Sequence, residues 1–285
     1  MTHPYQNLLL ATEHTDFDTG AESLAMALAQ RWGLLSALHP RSRLAVVLPM
    51  LSNAEFEMLA PELAIKADAQ TAARIKALEG AAEPMGLALS PRVRRGNNLA
   101  AEIVAEARGA GTDLLITRRR GKRGYLSRLL VGEMVSQVVA HAPCSMLIAP
   151  RAATLWRTRV MVAVDPQAAD AACVAAAAAV AADAALPLLV VCVAAADAEQ
   201  QAQAAAALAT ALQQAQKLHA DVSGVVVTGR VADALLATAE QHGADLLVLS
   251  RNRPGAGVRA RMGSTTAAVT GKAGGPVLVH VGCVE

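Results

Sequence analysis

Val160-Met161-Val162-Ala163-Val164-Asp165 lies over Leu8-Leu9-Leu10-Ala11-Thr12-Glu13 when the two halves of the chain are aligned, and each is a short apolar run that ends in an acid. Runs of this length without polar alternation are expected of strands buried on both faces of a sheet. The match continues along the chain. Gly96 leads through Ile103 and Ala107 to Asp113-Leu114-Leu115-Ile116-Thr117, and Gly229 leads through Leu235 and Ala239 to Asp245-Leu246-Leu247-Val248-Leu249-Ser250. Gly132 precedes a helical segment and Cys144-Ser145-Met146-Leu147-Ile148-Ala149, as Gly263 precedes one and Pro276-Val277-Leu278-Val279-His280-Val281. A duplication that spans nearly the whole chain constrains the architecture before any local assignment does.

Between these anchors, residues 44–50 and 188–193 read as second strands, 87–93 and 222–227 as third strands, and 63–82 and 198–220 as helices. Strands alternating with helices imply crossover connections and a parallel sheet. The expected fold class is therefore α/β, with two domains of five parallel strands each, flanked by helices. Right-handed crossovers place any ligand outside the carboxyl ends of the strands. In the second half that is the neighbourhood of Asp165, Ser250 and Gly263. Pro150-Arg151-Ala152-Ala153-Thr154 interrupts the apolar pattern, which puts the linker between Pro150 and Arg157 and the domains at 1–152 and 153–285.

The 285 residues suit two domains, since one domain takes roughly 100–200. Apolar residues make up 54% but aromatics only 2%, so the core must be aliphatic and built from small side chains. Few rings are available to stack bases, which argues against a single-strand nucleic-acid reader. The charge is nearly balanced, 26 Lys plus Arg against 24 Asp plus Glu. The longest apolar stretches, 171–182 and 184–196, are interrupted by Asp170, Asp183 and Asp197 and are too short to span a bilayer. The first residues lack a cationic start and apolar block, so a cytoplasmic protein is expected. The four cysteines, Cys144, Cys173, Cys192 and Cys283, are far apart, three of them in strand-like runs, and read as buried reduced thiols. No CxxC or HxxxH spacing marks a metal site. Asp170 and Asp183 bracket an alanine-rich packing helix and read as solvated positions without a chemical task.

The loop after each fourth strand concentrates positive charge. It reads Thr117-Arg118-Arg119-Arg120-Gly121-Lys122-Arg123-Gly124-Tyr125-Leu126-Ser127-Arg128 in the first half and Ser250-Arg251-Asn252-Arg253-Pro254-Gly255-Ala256-Gly257-Val258-Arg259-Ala260-Arg261 in the second. Glycines that turn amides toward a ligand, followed by a helix N-terminus, suit phosphate oxygens. A solvated cationic loop explains the same charge equally well.

In the order and spacing of these segments, with Leu126-Ser127-Arg128-Leu129-Leu130-Val131-Gly132 followed by His141-Ala142-Pro143-Cys144, the chain resembles a tandem universal stress protein. The resemblance covers both halves. It implies a Rossmann-like fold for each domain, of the adenine nucleotide alpha hydrolase-like kind with strand order 3-2-1-4-5, and last strands that pair across a two-fold, here between the halves of one chain as a pseudo-dimer. It also implies a site in which the first-strand acid and the end of the second strand hold adenine. A loop of pattern Gly, two residues, Gly, nine residues, Gly and Ser or Thr then holds ribose and phosphates. In the second half Asp165, Val193, Gly229, Gly263, Ser264 and Thr265 match this site, while Ser250 and Arg253 stand where two glycines are expected. Arg253 either replaces amide contacts by charge or fills the pocket. The first half departs further: Glu13 stands for the acid, Arg119 and Lys122 for the glycines, and Glu133 follows Gly132. Gly121 and Gly124 have the right mutual spacing, but only seven residues separate Gly124 from Gly132.

No catalytic constellation is marked. Ser264 is not in a GxSxG elbow, and neither His141 nor His280 has a nucleophile beside it in sequence, so no enzyme is expected beyond weak ATP hydrolysis. The expected function is a stress-response module that senses a ligand or binds a partner. Its ligand would be ATP or another adenine nucleotide, with magnesium, in the second half. The alternative is a scaffold without nucleotide that uses the basic loop from Arg118 to Arg128 to meet an acidic partner. A flavodoxin-like cofactor carrier is a third reading, and association of two chains is left open.

Overall fold

The computed structural model describes residues 3–33, 42–51, 58, 61–119, 132–168, 170–251 and 262–282. The first half runs β1 (Leu8–Ala11), α1 (Thr19–Arg31), β2 (Ser42–Leu51), α2 (Pro61–Ala82), β3 (Leu87–Gly96), α3 (Leu99–Gly109), β4 (Leu114–Arg118), α4 (Glu133–His141) and β5 (Ser145–Ala149). The second repeats it as β6 (Val160–Val164), α5 (Ala171–Ala184), β7 (Leu188–Ala194), α6 (Ala198–Gln216), β8 (Val222–Thr228), α7 (Val231–Gln241), β9 (Leu246–Ser250), α8 (Ser264–Lys272) and β10 (Val277–His280).

Each half has the order 3-2-1-4-5, and the two five-stranded parallel sheets join into one ten-stranded sheet, β3-β2-β1-β4-β5-β10-β9-β6-β7-β8. The junction is the antiparallel pair β5–β10, in which Leu147 faces Leu278. These residues hold equivalent places in the repeat, so the pseudo-two-fold passes between them. One large core cluster packs α1, α2, α5 and α6 on one face of the sheet, and a second packs α3, α4, α7 and α8 on the other. Alanine suits this packing because it favours helix and lets a helix approach the sheet closely. In α5 the buried face is Cys173, Val174, Ala177, Ala178, Val180 and Ala181. Asn98, Asp170 and Asp197 cap α3, α5 and α6 by accepting the N–H groups of Ala101, Cys173 and Gln200.

The central strands are buried on both faces, but the outermost two are not. β3 and β8 have one free edge each and are partly exposed along their length. Pro91, Arg92, Arg94 and Arg95 on β3 make that edge unfit for further pairing. The linker is also less free than its composition suggests, since Ala153 and Trp156 are buried. At Gly20, on the first turn of α1, a Cβ would sit 2.0 Å from the carbonyl oxygen of Pro150, so only glycine admits this approach.

One expectation about an individual residue needs correction here. Asp183 is not a solvated position: it accepts the indole N–H of Trp32 at 2.9 Å and pairs with Arg31 at 3.0 Å, tying α1 to α5 across the halves. Cys173 lies in α5, Cys192 in β7 and Cys144 just before β5. Cys144, Cys173 and Cys192 are free and buried, and burial pushes the Cys144 thiol up to about 12. Cys283 lies outside the described residues. Among the described residues no helix is long and apolar enough to cross a membrane.

Candidate functional site

The carboxyl ends of β6, β7, β8 and β9 open around a cavity of about 360 Å³, within the roughly 300–1,000 Å³ typical of small-molecule sites. Asp165 follows β6, Val193 lies near the end of β7, Gly229 follows β8, Ser250 ends β9, and Gly263, Ser264 and Thr265 open α8; all seven line this cavity. Arg253, the eighth residue named from sequence, lies outside the described residues. Gly229 has φ +133°, a backbone region that glycine alone adopts without strain. Gly263 caps α8 without any side-chain hydrogen bond, so among the described residues the first N–H groups of that helix, at the cavity, have no side-chain cap.

The sequence reading missed the other carboxylate of the site. Asp170 lines the cavity as well. One of its oxygens caps α5, and the other accepts the Ser250 hydroxyl at 2.6 Å. Asp170 is thus half-buried and hydrogen-bonded, not a solvated bracket of the alanine-rich helix. Burial pushes its carboxyl up. Hydrogen bonds from Ser250 and from the N–H groups of Cys173 and Ala172, with His280 nearby, outweigh this and hold it below the usual aspartate value. Its serine partner stands 80 residues away, so no local spacing reveals the pair. Beneath the cavity, burial and the nearby Asp165 push the Cys192 thiol up to about 11, which leaves it inert at neutral pH. The described lining holds the carboxylates Asp165 and Asp170 and no cationic side chain.

The equivalent place in the first half is closed. Leu8 pairs with Leu114 as Val160 pairs with Leu246, so Glu13, Asp18 and Arg118 stand where Asp165, Asp170 and Ser250 stand in the second half. Arg118 is 3% exposed and Asp18 is 1% exposed; the guanidinium donates to Asp18 at 2.6 Å, to Thr15 at 2.9 Å and to Glu13 at 3.0 Å. The side chains of Thr12 and His14 meet Glu22 beside it, at 2.6 and 3.0 Å. Among the described residues only about 10 Å³ remains, about the space of one water molecule. Gly132 adopts the same backbone as Gly263, but Glu133 follows it on the first turn of α4.

Arg118 therefore belongs to the core of the first half, not to a solvent-facing cationic loop. Arg119 is likewise engaged: its guanidinium donates to the carbonyls of Thr270, at 3.0 Å, and Ala273 at the C-terminus of α8. Arg251 donates to Val139 at 2.9 Å and Ala142 at 2.8 Å at the C-terminus of α4. The two arginines are equivalent in the repeat, and each holds the last helix of the opposite half. Lys122, Gly121, Gly124 and the rest of the first basic loop lie outside the described residues.

His280 Nδ1 lies 3.2 Å from Ser145 Oγ, across the β5–β10 junction. Ser145 is 3% exposed and its Oγ also accepts the N–H of Val281, so the pair is a buried contact between the halves and not a nucleophile open to substrate. Among the described residues no cluster of three His, Cys, Asp or Glu forms a metal site.

A sequence model of the universal stress protein family matches residues 4–150 and again residues 157–280. The chain belongs to the universal stress protein family. It is a tandem member, with one copy of the family's domain in each half. A solved universal stress protein from Archaeoglobus fulgidus shares the fold across 98% of this chain and 97% of its own, with TM-score 0.69 and 16% identity. A Pseudomonas aeruginosa structure described as a universal stress protein covers 97% of this chain and 93% of its own, with TM-score 0.69 and 18% identity. A shorter universal stress protein solved in complex with cAMP covers 44% of this chain and 97% of its own, with TM-score 0.37 and 26% identity. No curated protein matches the chain by sequence.

Proposed function

We propose that this universal stress protein binds an adenine nucleotide in its second half and acts as a ligand-responsive module in the cytoplasm, where its buried thiols stay reduced. The base lies against Asp165 and the main chain at the end of β7 near Val193. The phosphates lie at the N-terminus of α8, on Gly263, Ser264 and Thr265, where free N–H groups and the helix dipole favour anions. Magnesium accompanying the phosphates offsets the repulsion of Asp165 and Asp170. Gly229 leaves the floor at the tip of β8 open.

The observation that carries this reading is the convergence of seven separately named residues on one cavity of about 360 Å³, at the carboxyl ends of the strands. The scaffold alternative loses support with Arg118 and Arg119 committed to internal contacts. Calorimetric titration of the full chain with ATP and magnesium is the test. Heat and a saturable isotherm that weakens in Asp165→Ala are expected; no heat and no thermal shift at millimolar ATP would remove the nucleotide from the account.

A further inference from the structure

We infer that Ser250, held by Asp170, is a specificity residue that accepts a sugar hydroxyl, so that the second-half site selects ribonucleotides over their deoxy analogues. The inference rests on the reading above and deepens it.

The argument is a count of protons. Ser250 Oγ and Asp170 Oδ2 are 2.6 Å apart, and both residues line the cavity. The other oxygen of Asp170 accepts the Cys173 N–H at 3.1 Å. An ionised carboxylate only accepts hydrogen bonds, and a serine hydroxyl has one proton to give. The low proton affinity of Asp170 keeps it in that form at neutral pH. Ser250 therefore spends its proton on Asp170 and turns only lone pairs toward the cavity. Any ligand group that hydrogen-bonds to it must be a donor.

A nucleotide has few donors. Its phosphates and the ring nitrogens of adenine accept; the exocyclic amine and the sugar hydroxyls donate. With the base and phosphates placed as proposed above, the sheet order selects which of these reaches Ser250. β9 lies beside β6 and leads toward α8, while β7 lies on the far side of β6. With the base between the tips of β6 and β7 and the phosphates at α8, the sugar is the part that crosses β9. The first half carries the complementary solution, since Arg118 takes the place of Ser250 and meets Asp18 as a donor without any ligand.

Calorimetry on the full chain with magnesium and ATP, 2′-deoxyATP or 3′-deoxyATP tests this. At least one deoxy analogue is expected to bind about tenfold more weakly than ATP, the cost of one hydrogen bond to an acceptor left unpaired. Ser250→Ala should erase the difference while still binding the weaker analogue as the wild type does, and Ser250→Thr should restore it. Equal affinity for ATP and both analogues overturns the inference and leaves nucleotide binding intact. No binding of ATP at all overturns both.

Discussion

The two halves share strand order and the Gly132/Gly263 helix start, yet one site is full and the other open, and the difference turns on what meets a common aspartate. Asp18 is met by the Arg118 guanidinium, which also reaches Glu13 and leaves about 10 Å³. Asp170 is met by the small hydroxyl of Ser250, which leaves about 360 Å³. A duplicated fold can thus keep one cavity and fill its twin with side chains, a large cation at the end of one strand foremost among them. The closed half becomes a structural partner whose Arg119 steadies the helix that opens the other half's site.

The largest consequence concerns Arg118. Its replacement by serine leaves Asp18 buried without its partner, and breaking a buried ion pair costs about 3–5 kcal/mol. Urea denaturation of Arg118→Ser should show that loss, and adding Asp18→Asn should recover part of it. An unchanged midpoint would mean that the first half is not held shut by this pair.

Next is affinity. Asp165→Ala should weaken ATP binding about ten- to a hundredfold, as expected for loss of a hydrogen bond to a charged group. Glu13→Ala, at the equivalent position, should leave the calorimetric isotherm unchanged. Equal weakening by both would erase the distinction between the halves.

The arginines that cross the pseudo-two-fold are the feature the halves have in common. Arg119→Gln and Arg251→Gln each remove two hydrogen bonds to helix carbonyls. Each should lower stability in urea by about 1–3 kcal/mol. A loss from only one of them would show that the clamp is not reciprocal.

The smallest effect is a pH dependence. Burial holds the His280 imidazole below its ordinary value, with Asp170 opposing, whereas the equivalent place in the first half is Ala149. A depressed histidine binds fewer protons folded than unfolded, so its contribution is complete above about pH 6.5. It is lost progressively as pH falls from there toward the depressed value. Thermal unfolding between pH 7 and 5 should show this slope, and His280→Gln should flatten it.

Much of this was legible in one dimension because it depends on pattern. Continuous apolar runs separated by alanine-rich segments report strands buried on both faces, and the repeat of Gly, helix, Asp, strand reports the duplication. The motif spacing marks Asp165 and Gly263-Ser264-Thr265 because a strand tip and a helix start are local features. Asp170 and Asp183 were misjudged for the opposite reason. Their partners, Ser250 and Trp32, lie 80 and 151 residues away, and alanine-rich surroundings carry no sign of them.

Composition and periodicity by themselves therefore determined the strands and the crossovers, and the order of the motifs carried the resemblance to the family. Three-dimensional packing alone decided which cavity stays open. It also decided that Arg118 and Arg119 serve the interior, and that Ser250 offers lone pairs and no proton. The physical reason is one of range. Backbone propensity and hydrophobic burial act over a few residues and leave a regular trace in the chain, whereas a carboxylate takes whichever donor the fold brings within about 3 Å.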